Sequence, residues 1–202
     1  MIFRETMSPS TPIYKKQNSI VDISHHKALE DIIPQIRKLS GRLSTLTISD
    51  YKKSIIRSAC DELLNEAILE EGVSPFQLFS YNLDEINQLE AEDLPRYIFY
   101  RYRYETFPKR LKLDDFPPCL QIEPASICNY RCLFCYQIDE EFTHKSNGMM
   151  GMMSINLFKR IIDQAEGRCE AITLASRGEP LICPDFEAMI RYAGEKFLAL
   201  KL

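Results

Sequence analysis

Residues 119–135 run Cys119-Leu120-Gln121-Ile122-Glu123-Pro124-Ala125-Ser126-Ile127-Cys128-Asn129-Tyr130-Arg131-Cys132-Leu133-Phe134-Cys135. Their reading decides the fold. Cys119 to Glu123 is a short, mostly apolar strand that ends at Pro124, and the loop after it holds three cysteines. Downstream, Ser154 is placed to cap a helix whose buried stripe is Leu157, Phe158, Ile161, Ile162 and Ala165, with Gly167 as its stop. Ala171 to Ala175 is a second strand, closed by the turn Ser176-Arg177-Gly178-Glu179-Pro180. Pro184 and Asp185 open another helix, with Phe186, Met189, Ile190 and Ala193 on its apolar face, and Phe197 to Leu202 begins a third strand. Strand, helix, strand, helix, strand is the repeat of a parallel sheet with crossover helices, so the expected class is α/β. Parallel strands need neighbours and cover on both faces. Two units do not supply that, and the chain is expected to be a fragment or the product of a truncated gene.

Upstream, the break at Asp114-Asp115-Phe116-Pro117-Pro118 separates this region, residues 116–202, from a mostly helical part, residues 1–115. Residues 1 to about 20 are polar and read as a loose arm. Ile33, Ile36 and Leu39 recur at helical spacing, as do Ile55, Ile56, Ala59, Leu63 and Ala67 before a stop at Gly72. A further helix is expected from Ser80 to Leu89, with Asn82 as a possible cap. In Leu94 to Leu113, Tyr100-Arg101-Tyr102-Arg103-Tyr104 alternates with a strand's period of two. Asp93 and Pro95 nevertheless resemble a helix start, and basic residues follow where a helix dipole favours them, which tips the reading to helix.

The 202 residues are 45% hydrophobic and 27% charged, with a formal net charge of -4, which argues against a general nucleic-acid or membrane-surface binder. The N-terminus has no apolar core of a signal peptide, and no uncharged apolar run is long enough to cross a bilayer. A cytoplasmic protein is expected, and thiols stay reduced there. An odd count of seven cysteines in that compartment does not suggest a disulfide framework. Cys60, Cys119, Cys169 and Cys183 are read as structural or solvent-facing, and His144 as a loop residue.

Cys128, Cys132 and Cys135 have the spacing CxxxCxxC. Thiolates are the usual ligands of iron–sulfur clusters. A closed zinc site takes four ligands, commonly in two pairs, and no second pair lies here. Three thiolates on a four-iron cubane leave one iron open to a small molecule. At this point the sequence resembles the radical S-adenosylmethionine (SAM) superfamily. Cys128-Asn129-Tyr130-Arg131-Cys132-Leu133-Phe134-Cys135 matches that family's cluster motif, with Phe134 at the aromatic position before the last cysteine. Gly178-Glu179-Pro180 after the second strand matches its second signature. Both motifs fall at the ends of successive parallel strands, where α/β folds bind ligands.

The resemblance implies a partial (βα)6, TIM-like barrel, a 4Fe–4S cluster on Cys128, Cys132 and Cys135, and SAM chelating the fourth iron. It implies that Glu179 and the backbone of Arg177 and Gly178 accept from the SAM ammonium, and that Phe134 lies near the adenine. It further implies reductive cleavage of SAM to a 5′-deoxyadenosyl radical, a one-electron reductant such as a flavodoxin or ferredoxin, and a substrate that is a peptide, a protein or a sugar. The chain departs from the pattern at Arg177, where many members carry a glycine, and the resemblance covers only about 116 to 202. Two other readings stand beside it. One is a non-catalytic iron–sulfur or zinc-binding module. In the other, the N-terminal helices form a partner-docking domain.

Overall fold

The computed structural model describes residues 29–202. The arm expected over residues 1 to about 20 lies outside the described residues. Four helices come first: α1 (Leu29–Arg42), α2 (Asp50–Leu63), α3 (Ser80–Asn87) and α4 (Leu94–Thr106). They enclose one hydrophobic core, with Ile36, Leu39, Ile56, Ala59, Leu83 and Ile98 among its members. Three strands come next, β1 (Cys119–Gln121), β2 (Ala171–Thr173) and β3 (Ala199–Lys201), in a parallel sheet of order β1-β2-β3. Among the described residues the segment between β1 and β2 carries the one-turn α5 (Glu140–Thr143) and then α6 (Ile155–Ala165), and α7 (Phe186–Ala193) connects β2 to β3. A second core joins the sheet to α6 and α7 through Ile122, Ile172, Leu174, Phe158, Ile162 and Met189. The α/β class therefore stands, and none of the described helices is long and apolar enough to cross a membrane.

Several boundaries differ from expectation for identifiable reasons. The α1 stripe runs through Ile32, Ile36 and Leu39, while Ile33 is only half-buried. The second helix ends at Leu63 rather than near Gly72, because Asn65 takes the left-handed conformation (φ 58°) in which asparagine ends helices. Ala67 therefore lies outside α2. Asn82 is the third residue of α3 and not its cap, yet it still serves the terminus: its Oδ1 accepts from the Phe79 N–H at 2.9 Å. Leu157 and Ile190 are exposed, so the stripes of α6 and α7 are narrower than their apolar residues suggest. The strands are three residues long, shorter than the apolar runs that contain them.

The expected caps hold. Ser154 Oγ accepts from the Leu157 N–H at 3.3 Å, and Gly167 comes after α6 with φ 73°. Asp185 precedes α7, but its Oδ2 accepts from the Ile155 N–H at 3.1 Å, tying the start of α7 to the start of α6.

The helical period of α4 wins over the strand-like alternation because both of its polar rows have buried partners. Arg103 is 1% exposed and ion-pairs through Nε with Asp114. Its Nη1 donates to the Arg168 carbonyl at 2.9 Å, its Nη2 donates to the Phe116 carbonyl, and its guanidinium lies 4.4 Å from the Phe99 ring centre. Arg96 donates to Glu170 Oε2 at 2.7 Å and to the Lys196 carbonyl at 3.0 Å. Every one of these anchors precedes a strand. The helical part is thus fastened to the amino-terminal end of the sheet. On the other side of α4, Tyr102 donates to the buried Glu62 at 2.6 Å, and Arg110 meets both Glu62 oxygens at 2.9 and 2.7 Å.

Burial raises the Glu62 carboxyl, but the bonds from Arg110, Tyr102 and the Phe76 N–H outweigh it and hold the carboxyl below its ordinary value. The unfolded carboxyl titrates near about 4.3. Its contribution to stability is fully present above that pH and is lost as pH falls through the depressed folded value. The stability gap between wild type and Glu62→Gln, measured by denaturant unfolding, is therefore expected to be widest near neutrality and to close below about pH 4. Arg103→Met leaves Asp114 buried without its cation and is expected to cost about 3 kcal/mol in the same measurement.

Candidate metal centre

The carboxyl end of the sheet gathers the cysteine loop and the Gly-Glu-Pro turn. The Ile122 N–H donates to the Thr173 carbonyl at 2.8 Å, which carries the β1–β2 pairing one residue past the strand, and Pro124 then ends it. Ser126 organises the chain beyond that proline. Its N–H donates to the Gly151 carbonyl at 2.9 Å, its Oγ accepts from the Gly151 N–H at 2.9 Å, and its carbonyl accepts from the buried Gln137 side chain at 2.8 Å. One residue thereby holds both ends of the 137–151 segment. Ala125 and Met152 form an isolated antiparallel bridge beside it.

Within the loop the Cys135 N–H donates to the Cys132 carbonyl at 2.9 Å, which folds the last two cysteines into a turn. The Tyr130 N–H lies 3.4 Å from Cys128 Sγ, and Arg131 Nη1 donates to the Cys128 carbonyl at 3.1 Å. Cys128 and Cys135 are half-buried and Cys132 is exposed, and all three are free thiols. Phe134 is 94% exposed and Leu133 91%, so the aromatic of the motif stands clear of the core. His144 makes a local contact, Nδ1 to Ser146 Oγ at 2.6 Å, in keeping with a loop residue.

The second motif is docked on the first. A Cβ at Gly178 would lie 1.8 Å from the Ala125 carbonyl oxygen and 2.7 Å from that of Ile127, so only glycine fits. The next N–H, of Glu179, donates to the Ile127 carbonyl at 2.9 Å, one residue before Cys128. The Glu179 carboxylate accepts from the Leu181 N–H at 3.1 Å and caps the short turn Pro180–Ile182. The Arg177 N–H donates to Glu123 Oε1 at 2.7 Å, and the Arg177 guanidinium donates to the Met149 carbonyl. Arg177 thus turns its side chain away from the Gly-Glu-Pro main chain and toward the methionine segment.

Among the described residues no three His, Cys, Asp or Glu side chains are grouped to hold a metal ion. The motif places its cysteines on one loop without converging their sulfurs. In chemistry the donor set fits an iron–sulfur cluster: three thiols share eight residues, and no carboxylate of the kind that anchors Mg²⁺ or Ca²⁺ lies between them. Two of the other cysteines do not compete. Burial pushes the Cys60 thiol up to about 12 and the Cys169 thiol up to about 11, and a thiol so raised is a poor ligand. A groove of about 770 Å³ between the 68–79 segment and the end of α4 lies in the helical part, and its cations already have partners, Arg110 with Glu62 and Lys109 with Glu105.

Sequence reasoning did not single out Glu123, Ser126 or Gln137. A carboxylate before a proline at a strand end is the faint signal that existed for Glu123, and nothing local distinguishes the other two. No family model, no curated protein and no solved structure matches the chain.

The Gly178 contact generates a sharp expectation. Gly178→Ala must separate the turn from the loop or displace backbone, at a cost of about 1–3 kcal/mol. Thermal unfolding should show the loss. A Gly178→Ala protein as stable as wild type would mean that the turn and the loop do not touch.

Proposed function

We propose that this chain belongs to a radical SAM enzyme, with Cys128, Cys132 and Cys135 holding a 4Fe–4S cluster. On this reading the three parallel strands are strands of a partial (βα)6 barrel. The observation that carries it is the docking of Gly178 and Glu179 on the carbonyls of Ala125 and Ile127. Two motifs more than 40 residues apart in sequence meet beside Cys128, at the end of the sheet where parallel folds bind ligands. Paired parallel strands bring any two such loops together, so the weight lies on the glycine that the second motif places where a Cβ would strike the chain leading to Cys128.

The chain's own groups take separate roles. The three thiols supply sulfur ligands, one fewer than the irons of a four-iron cluster. Glu179 keeps one carboxylate oxygen beyond its bond to Leu181, and with the carbonyls of Arg177 and Gly178 it offers acceptors to an ammonium. Phe134 offers an open aromatic edge beside the last cysteine for an adenine. When bound, the cluster would supply the single electron that cleaves the SAM sulfonium to the 5′-deoxyadenosyl radical. A one-electron reductant, a cytoplasmic setting and a peptide, protein or sugar substrate complete the reading by analogy with the family.

Anaerobic reconstitution tests it. The expected result is about four irons per chain, loss of iron on Cys→Ser substitution at Cys128, Cys132 or Cys135 alone, and a SAM-dependent change in the EPR spectrum of the reduced cluster. Zinc taken up in place of iron would favour a non-catalytic module. Iron content indifferent to all three substitutions would remove the proposal.

A further inference from the structure

Arg177 occupies a position where the resembled motif carries glycine, yet its side chain is well placed rather than merely tolerated. Only 17% of it is exposed. The main chain at this point has little freedom, because Gly178 is seated on backbone and the Arg177 N–H is held by Glu123 Oε1 at 2.7 Å. The guanidinium then spans two elements. Its Nε lies 3.9 Å from Glu123 Oε2 at the end of β1, and its Nη2 donates to the Met149 carbonyl. Nε is buried with no hydrogen-bond partner of its own, so its charge is balanced by the nearby Glu123 carboxylate.

Met149 directly follows Gly148, which has φ 68°, and leads into Gly151, held by Ser126. The segment before it is mostly exposed and much of its bonding is internal, as in Asn147 Nδ2 to the Glu141 carbonyl at 2.9 Å. Ser126 already ties Gln137 and Gly151, and the bond at Met149 adds a further tie beside that far end, where the segment's own bonds do little to hold it. We propose that Arg177 is a positioning residue: with Glu123 it clamps the 139–151 segment beside the cysteine loop, making Met149 to Gly151 one wall of the site. A charge-assisted bond to a carbonyl, backed by a carboxylate, is strong enough to do this. Glycine at 177 could not. That the wall faces SAM rests on the function proposed above, whereas the clamp itself does not.

Amide exchange on the metal-free chain of residues 1–202 tests the clamp. Arg177→Gly and Glu123→Gln should each speed exchange across residues 139–152 about tenfold, leaving α1–α4 unchanged, and Arg177→Lys should fall between. Unchanged exchange in both Arg177→Gly and Glu123→Gln overturns the proposal. After reconstitution, with the cluster kept oxidised, Arg177→Gly should retain its iron while its affinity for SAM drops about tenfold. Iron lost together with protection in α1–α4 would make Arg177 a merely structural residue and overturn the positioning role. If the wild-type chain takes no iron, the proposed function fails, and the exchange experiment still decides the clamp.

Discussion

A backbone with no room for a methyl group at residue 178 sets the layout of the candidate site. Because a Cβ there would overlap the Ala125 carbonyl, the turn after β2 approaches the chain after β1 main chain to main chain. Main-chain contacts have short reach and fixed direction, so the approach also sets the neighbours. It aligns the Glu179 N–H with the Ile127 carbonyl, places the Arg177 N–H at Glu123, and brings the Arg177 guanidinium within reach of Met149. The cysteine loop, the turn and the methionine segment are therefore one assembly. A larger residue at 178 would disturb all three together.

Charge is handled differently in the two halves. In the helical half, Glu62 and Arg103 are almost wholly buried, and each is surrounded by several polar partners. Buried ion pairs contribute little net stability compared with apolar packing, since desolvation offsets most of the attraction. What they do impose is geometry. Arg103 can satisfy the Arg168 and Phe116 carbonyls and Asp114 only with α4 at one height and one rotation against the sheet. At the candidate site the Arg177–Glu123 pair is less buried and shares its donors with a loop carbonyl, which suits a segment that must be held without being part of the core.

Much of this was legible in the residues. The α/β repeat, the Ser154 cap, the Gly167 stop and the helical reading of α4 come from local rules. The strands did not announce their true lengths, because apolar residues beyond a ladder look like those within it. Helix α2 ended early for a similar reason: Ala67 continues the apolar period, and only the left-handed Asn65 stops it. The site was half legible. The cysteines and Gly178-Glu179 stand out by type and spacing, which are local. Ser126, Gln137 and Glu123 act through partners 11 to 54 residues away, and no local pattern encodes such a partnership.

The two ends of the sheet carry different duties, and this bears on what the helical part can do. Asp114, Phe116, Arg168, Glu170 and Lys196, which receive Arg96 and Arg103, all precede strands, whereas Cys128, Cys132, Cys135 and Gly178 come after them. Three-residue strands separate the two ends by about 10 Å. Among the described residues an ion pair does reach across the difference, Lys201 Nζ to Glu85 at 4.0 Å, but a pair that exposed contributes little. A partner-docking role for the helices would then act through the sheet rather than by contact with the cysteine loop. The arrangement favours the helical part as a support that fixes the strands at their amino-terminal end, and it leaves the carboxyl ends, with Tyr130, Leu133 and Phe134, exposed.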